Sequence, residues 1–180
     1  TGIDVAGEER GVVMSKEVVK NVDLARIGFG QAIATTPIQL ITAVSAVING
    51  GNLMEPHIGK EFHDEEGNIV EEIKPKVIRQ VISPNTSQTM RSILEQVVMD
   101  GSGRNAYIPG YRVGGKTGTA QKYGEDGRIV QGKHIASFIG FAPADDPEVI
   151  VLFLVDEPEA AVDFGSQVAA PYVKMILEDV

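Results

Sequence analysis

Apolar residues along this chain recur either at three- and four-residue steps or in nearly unbroken runs, and the two patterns predict different elements. The stretch TTPIQLITAVSAVINGG predicts a helix with Thr36 as its cap and Pro37 at its first position. Leu40, Ala43, Val44 and Val47 share one face of it, and Gly50 and Gly51 lie past its end. SPNTSQTMRSILEQVVMDG predicts a second helix, capped by Ser83 and opened by Pro84. Its stripe of Met90, Ile93, Leu94, Val97 and Val98 reads as core, and Gly101 follows it. Between the two, IGKEFHDEEGNIVEEI predicts two short strands about the turn DEEG, and KVIRQVI a third strand. Residues 1–26, interrupted by Gly2, Gly7 and Gly11, predict loop with at most one short strand or helix.

Beyond Gly114 the pattern becomes one of strands. KTGTAQKY leads to a turn at GEDG, KHIASFIGFA to a turn at PADDP, and EVIVLFLV carries the unbroken apolar run of a strand buried on both faces. Short connections make an antiparallel meander the simplest topology. From about Asp163, the spacing of Phe164, Val168, Tyr172, Val173 and Ile176 predicts a closing helix lying across that sheet. The expected fold class is therefore α+β, an antiparallel sheet with helices packed on it.

Composition narrows the function classes. The 180 residues suit one domain with a packed core, at 43% hydrophobic and 23% charged. A net charge of −9 argues against general nucleic-acid binding, which needs a basic face. The absence of cysteine excludes disulfides, thiolate metal sites and a cysteine nucleophile. No apolar run reaches the length of a membrane span, and the start at Thr1 without methionine reads as a piece of a longer protein.

The stretch GYRVGGKTGTAQ carries the candidate chemistry, and its letters satisfy two descriptions. Gly110, Gly115, Lys116 and Thr117 match the phosphate-cradling P-loop, G-x-x-x-x-G-K-[ST]. Lys116, Thr117 and Gly118 equally match K-T-G, a motif of serine penicillin-binding proteins and β-lactamases. A P-loop needs a buried strand before it and a helix after it. Here GSGRNAYIPG precedes and TGTAQKYGEDG follows, so the flanks favour a strand at the rim of a site, with Gly118 leaving room for a substrate beside the backbone.

Four blocks in order, IGFGQAIATTPIQL, INGGNLMEPHI, GYRVGGKTGTAQK and HIASFIGFAPADDPE, resemble the transpeptidase domains of class B penicillin-binding proteins, the peptidoglycan D,D-transpeptidases. The sporulation and division type of Gram-positive bacteria looks most similar. The resemblance covers nearly the whole chain and departs at one point: the family's nucleophile lies in S-x-x-K, assisted by S-x-N, and no S-x-x-K occurs here. Ser83-Pro84-Asn85 spells S-x-N but falls after the G-x-G-Q block, where a Ser cap followed by Pro explains it.

The resemblance thus implies that residues 1–180 are the C-terminal portion of a transpeptidase domain, a partial serine β-lactamase/transpeptidase-like fold that lacks its N-terminal part. Alone, such a piece is expected to be inactive. By this analogy Lys116 supplies charge and hydrogen bonds beside the missing serines, and Thr117 and Thr119 hold the carboxylate of a peptidoglycan stem peptide or of a β-lactam. The Thr119 N–H becomes an oxyanion-hole donor, and Gly118 keeps the strand open to the acyl group. No cofactor and no metal are implied. The parent would work at the extracytoplasmic face of the bacterial cell membrane, anchored by a segment outside this chain. Other cell-wall synthesis proteins are possible partners, and a lone fragment with exposed apolar surface is expected to self-associate.

Two further readings stand beside it: a non-catalytic module binding a peptide or protein along the strand edge at Lys116, and, more weakly, the P-loop protein. His57, His63 and His134 lack metal-site spacing, and the acidic run DEEG and the pair Asp145-Asp146 are turn residues. Gly28-Phe29-Gly30-Gln31 is assigned to packing near the active-site helix. Ser137, on the strand beside K-T-G, is assigned to packing or a backbone-directed hydrogen bond.

Overall fold

The computed structural model describes residues 1–124, 128–159 and 164–180. An N-terminal segment with a short helix, α1 (Asn21–Gly28), leads to α2 (Pro37–Ile48). The cap of α2 is reciprocal: Gln39 N–H donates to Thr36 Oγ1 at 3.3 Å, and Thr36 N–H donates to Gln39 Oε1 at 3.0 Å. After α2 the chain turns through Gly50 and Gly51, both at positive φ. A Cβ on Gly51 would stand 2.0 Å from the carbonyl oxygen of Ile82, so only glycine fits there.

Next come β1 (Asn52–Glu55), β2 (Glu61–His63), β3 (Ile69–Glu72) and β4 (Lys76–Gln80). The strands β2 and β3 form the expected hairpin around DEEG. The third expected strand, β4, does not extend that hairpin; it pairs antiparallel with β1, four residues too short and too mixed for patterning to single out. These two-stranded ribbons stay largely exposed.

The helix α3 (Pro84–Met99) is capped by Ser83, whose Oγ accepts from Thr86 N–H at 3.1 Å; Asn85 sits inside its first turn. A 3₁₀ turn at Arg104–Ala106 follows. Then β5 (Gly114–Tyr123), β6 (Ile129–Ala142) and β7 (Val149–Asp156) form a three-stranded antiparallel meander in the order β5-β6-β7. The expected turn at GEDG falls on residues 125–127, outside the described residues, and Gly124 N–H donates to Arg128 O at 2.8 Å across it. The closing helix is two pieces, α4 (Gly165–Val168) and α5 (Ala170–Asp179), because Pro171 lacks the N–H that a continuous helix requires. Its expected start at Asp163 lies outside the described residues.

The core gathers on both sides of the sheet. Phe138, Val98, Ala106, Ala169, Ala170 and Val173 are fully buried in one cluster. Ile48, Phe141 and Ala144 form a smaller one, against Val47, Leu94 and Ile150. Two expectations need correction. The stripe of α3 read as core is only partly so: Val98 is fully buried, Met90, Leu94 and Val97 are half-buried, and Ile93 is exposed; the shared face of α2 is covered to a similar degree, with Leu40, Val44 and Val47 half-buried and Ala43 exposed. Similarly, β7 is half-buried rather than buried on both faces, because it is the outer strand of its sheet.

Candidate active site

The site is built on β5, and its glycines explain why this strand can lie so close to β6. A Cβ on Gly114 would meet the Phe141 ring at 2.3 Å, and one on Gly115 would meet the Phe138 ring at 2.5 Å. The two aromatic rings therefore pass over β5 on its opposite faces, each at a residue that has no side chain. At Gly118 the vacant space is taken by Ser137 Oγ, 2.5 Å from where a Cβ would stand. The register pairs Lys116 with Ile139, Thr117 with Phe138, Gly118 with Ser137 and Thr119 with Ala136.

Lys116 is exposed, and its Nζ donates to the carbonyl oxygen of Thr117 at 2.8 Å. Thr117 Oγ1 lies 3.4 Å from Ser102 Oγ, brought in by the loop after α3. Thr119 is exposed. Among the described residues β5 has a neighbour on one side only, so Lys116, Thr117, Gly118 and Thr119 line an open strand edge. Beside Lys116 and Ser137 opens a cavity of about 280 Å³, walled by Leu40 and Val44 of α2, Met90 and Leu94 of α3, and Ile139 and Leu152 of the sheet. Further along β5, Thr119, Gln121, His134 and Phe164 border a second, of about 220 Å³.

Ion pairs clamp the strand at both ends. Before it, Arg112 makes a bidentate contact to Glu95 of α3, at 2.7 Å twice, and reaches Asp145 of the β6–β7 turn at 3.0 Å. The Arg112 guanidinium holds the Glu95 carboxyl below its ordinary range. At the far end, Lys122 bridges Asp156 at 2.9 Å and Glu157 at 2.8 Å, and Lys133 also pairs with Glu157. Hydrogen bonds from Lys122 and then Lys133 pull the Glu157 carboxyl down to about 2.

Other expected residues fall away from this edge. His57 Nδ1 faces Gly59 O at 2.8 Å, and His63 sits between Gly67 O and Glu61, each at 3.1 Å. Asp145 is an ion-pair partner, while Phe29 is exposed after α1 and Gly30 adopts positive φ. The P-loop reading fails on geometry. Lys116 and Thr117 are the third and fourth residues of a strand, so no helix N-terminus meets a phosphate there.

Residues 1–178 match the penicillin-binding protein transpeptidase domain. The chain belongs to that family. It is similar to stage V sporulation protein D of Bacillus subtilis, 50% identical over 180 residues, which are 99% of this chain and 28% of that protein. A peptidoglycan D,D-transpeptidase FtsI homolog of Mesostigma viride is 35% identical over 170 residues, 88% of this chain and 28% of that protein.

Among solved structures, penicillin-binding protein 3 of Mycobacterium tuberculosis complexed with ampicillin superposes with a TM-score of 0.86 at 29% identity, over 99% of this chain and 42% of that one. The apo transpeptidase domain of Burkholderia pseudomallei penicillin-binding protein 3 gives 0.81 at 32% identity, over 98% and 51%. The chain thus spans little more than a quarter of these two sequence relatives and about half of that solved transpeptidase domain. No helix among its described residues is long and apolar enough to cross a membrane.

Two contacts near this strand escaped the sequence reading, those made by Ser102 and Asn105. Ser102 approaches Thr117 across fifteen positions, and Asn105 donates to the carbonyl oxygen of Ser166 at 2.6 Å across sixty-one. Local spacing carries no trace of either contact. The only available signal was glycine density, GSG in the loop and FGS before the last helices.

Proposed function

We propose that this chain is the C-terminal portion of a peptidoglycan D,D-transpeptidase domain and forms the K-T-G wall of its active site, while the nucleophilic serine belongs to the remainder of the domain. The observation that carries this reading is the placement of Lys116 to Thr119 on an open strand edge, beside an apolar cleft that no described residue fills. The half-buried faces of α2 and α3 and the free side of β7 have the character of surface to be covered by a further helix and further strands.

In the assembled site the Lys116 ammonium draws the carboxylate of the stem peptide or β-lactam towards the strand and favours the charged nucleophile. Thr117 and Thr119 hydroxyls hold that carboxylate. The acyl carbonyl lies along β5 with its oxygen at the Thr119 N–H, and Gly118 lets it approach the backbone. The serine oxygen attacks that carbonyl, forming an acyl ester and releasing the leaving amine, and an acceptor amine then displaces the serine. The parent works at the extracytoplasmic face of the membrane, where peptidoglycan lies, held by an anchor elsewhere in its sequence and in the company of other cell-wall proteins. That relatives at 35% and 50% identity are named as a transpeptidase and a sporulation protein weighs against a non-catalytic module.

Intact-mass spectrometry after incubation with penicillin tests this division of labour. The 180-residue chain alone is expected to gain no mass, since none of its serines has a lysine three positions on, whereas the parent gains one penicillin. A stoichiometric adduct on the isolated chain would overturn it. In the parent, Lys116→Ala is expected to slow acylation on the order of 100-fold with little change in thermal midpoint.

A further inference from the structure

The first turn of α4 touches β5 and β6 through Gly165, and the contact is with backbone. A methyl group built on Gly165 would stand 2.1 Å from the carbonyl oxygen of Ser137 and 2.9 Å from that of Gly118. Real Cβ atoms do not approach oxygen so closely, so any side chain at this position must displace either α4 or the strands beneath it.

The Gly118 carbonyl is one end of a planar peptide unit whose other end is the N–H of Thr119. Pushing the oxygen tilts the N–H, because a peptide plane moves as a rigid body. This unit is held from two directions. Ser137 Oγ fills the space left by the missing Gly118 Cβ. Ala169 and Ala170, just beyond α4, pack with Phe138, whose side chain leaves β6 on the face opposite that of Ser137. A second tether fixes α4 itself: Asn105 Nδ2 donates to the carbonyl oxygen of Ser166 at 2.6 Å, tying the helix start to the 3₁₀ turn.

We infer that Gly165 is a positioning residue for acyl transfer. Its bare Cα lets α4 rest on the Gly118 and Ser137 carbonyls and so sets the direction of the Thr119 N–H. This inference depends on the proposed role of that N–H as an oxyanion donor. A donor aimed at a developing charge loses most of its value when misdirected by a few tenths of an ångström or some tens of degrees, whereas ground-state binding through Lys116 and the threonine hydroxyls tolerates the same displacement. Gly165 therefore acts on the rate of acylation rather than on the preceding binding step.

The test uses the full-length parent and stopped-flow acylation by a penicillin, separating the rate constant at saturation from the dissociation constant of the complex that precedes acylation. Gly165→Ala is expected to lower the rate constant about tenfold or more while the dissociation constant stays within about threefold. Asn105→Ala, which loosens α4 without adding an atom, is expected to move the same rate constant in the same direction by about threefold, and it decides the matter if Gly165→Ala does not fold. A rate constant unchanged in whichever variant folds, or a loss confined to the dissociation constant, overturns the inference. Lys116→Ala in parallel separates the two claims: wild-type acylation by that variant overturns the proposed function itself, whereas a slow Lys116→Ala beside a normal Gly165→Ala overturns the positioning role alone.

Discussion

The two faces of the three-stranded sheet are covered unequally. On the side of α4 and α5, Phe138 and Val173 are fully buried and Tyr172 stacks on Phe153 with ring centroids 4.9 Å apart. On the side of α2 and α3, Phe141 is buried, but Leu40, Val44, Met90 and Leu94 remain half-open around the cleft beside Lys116. The first face is the more closely covered and serves stability. The second is left open beside Lys116, where the chemistry is proposed.

Substitutions on the two faces should therefore behave differently. Phe138→Ala on the closed face is expected to cost about 3–5 kcal/mol in denaturant unfolding, since it empties a fully buried aromatic site beneath Gly115. Leu40→Ala on the open face is expected to cost about 1 kcal/mol or less in this chain, and about 2–4 kcal/mol in a parent whose remaining half covers the cleft. Equal costs for Leu40→Ala in both contexts would mean that nothing closes over α2.

The smallest effect concerns the clamp at the far end of β5. Glu157 is held near pKa 2 by Lys122 and Lys133, below its ordinary 4.5, so its contribution is fully present above that value and is lost as pH falls towards about 2. The pair is solvent-exposed, which keeps the contribution small. Glu157→Gln is expected to lower the thermal midpoint slightly near neutral pH, and its difference from wild type should vanish as the pH nears about 2. A difference that persists there would assign the loss to packing instead of charge.

Helices and meander strands were legible because each carries its signal locally. Thr36-Pro37 and Ser83-Pro84 are caps that work within four residues, and the meander strands are bounded by the turn residues GEDG and PADDP. The pairing of β1 with β4 was not legible, because twenty residues and an intervening hairpin separate them and NLME has no period of its own. The degree of burial of α2, α3 and β7 was likewise out of reach: apolar spacing states which face seeks cover, but not whether this chain provides it.

For the site, the amino-acid sequence by itself supplied the residue types of the motif and favoured a strand to carry them, since the flanks of Lys116-Thr117-Gly118-Thr119 are turn signals that suit a strand better than a helix. Only the tertiary structure decided that Ser102 comes to Thr117, that an apolar cleft opens between α2, α3 and the sheet beside Lys116, and that Gly165 rests on the Gly118 carbonyl. The division has a physical cause. Turns, caps and alternation arise from interactions between near neighbours, whereas an open cleft and a backbone-to-backbone contact depend on which distant segments arrive and which do not.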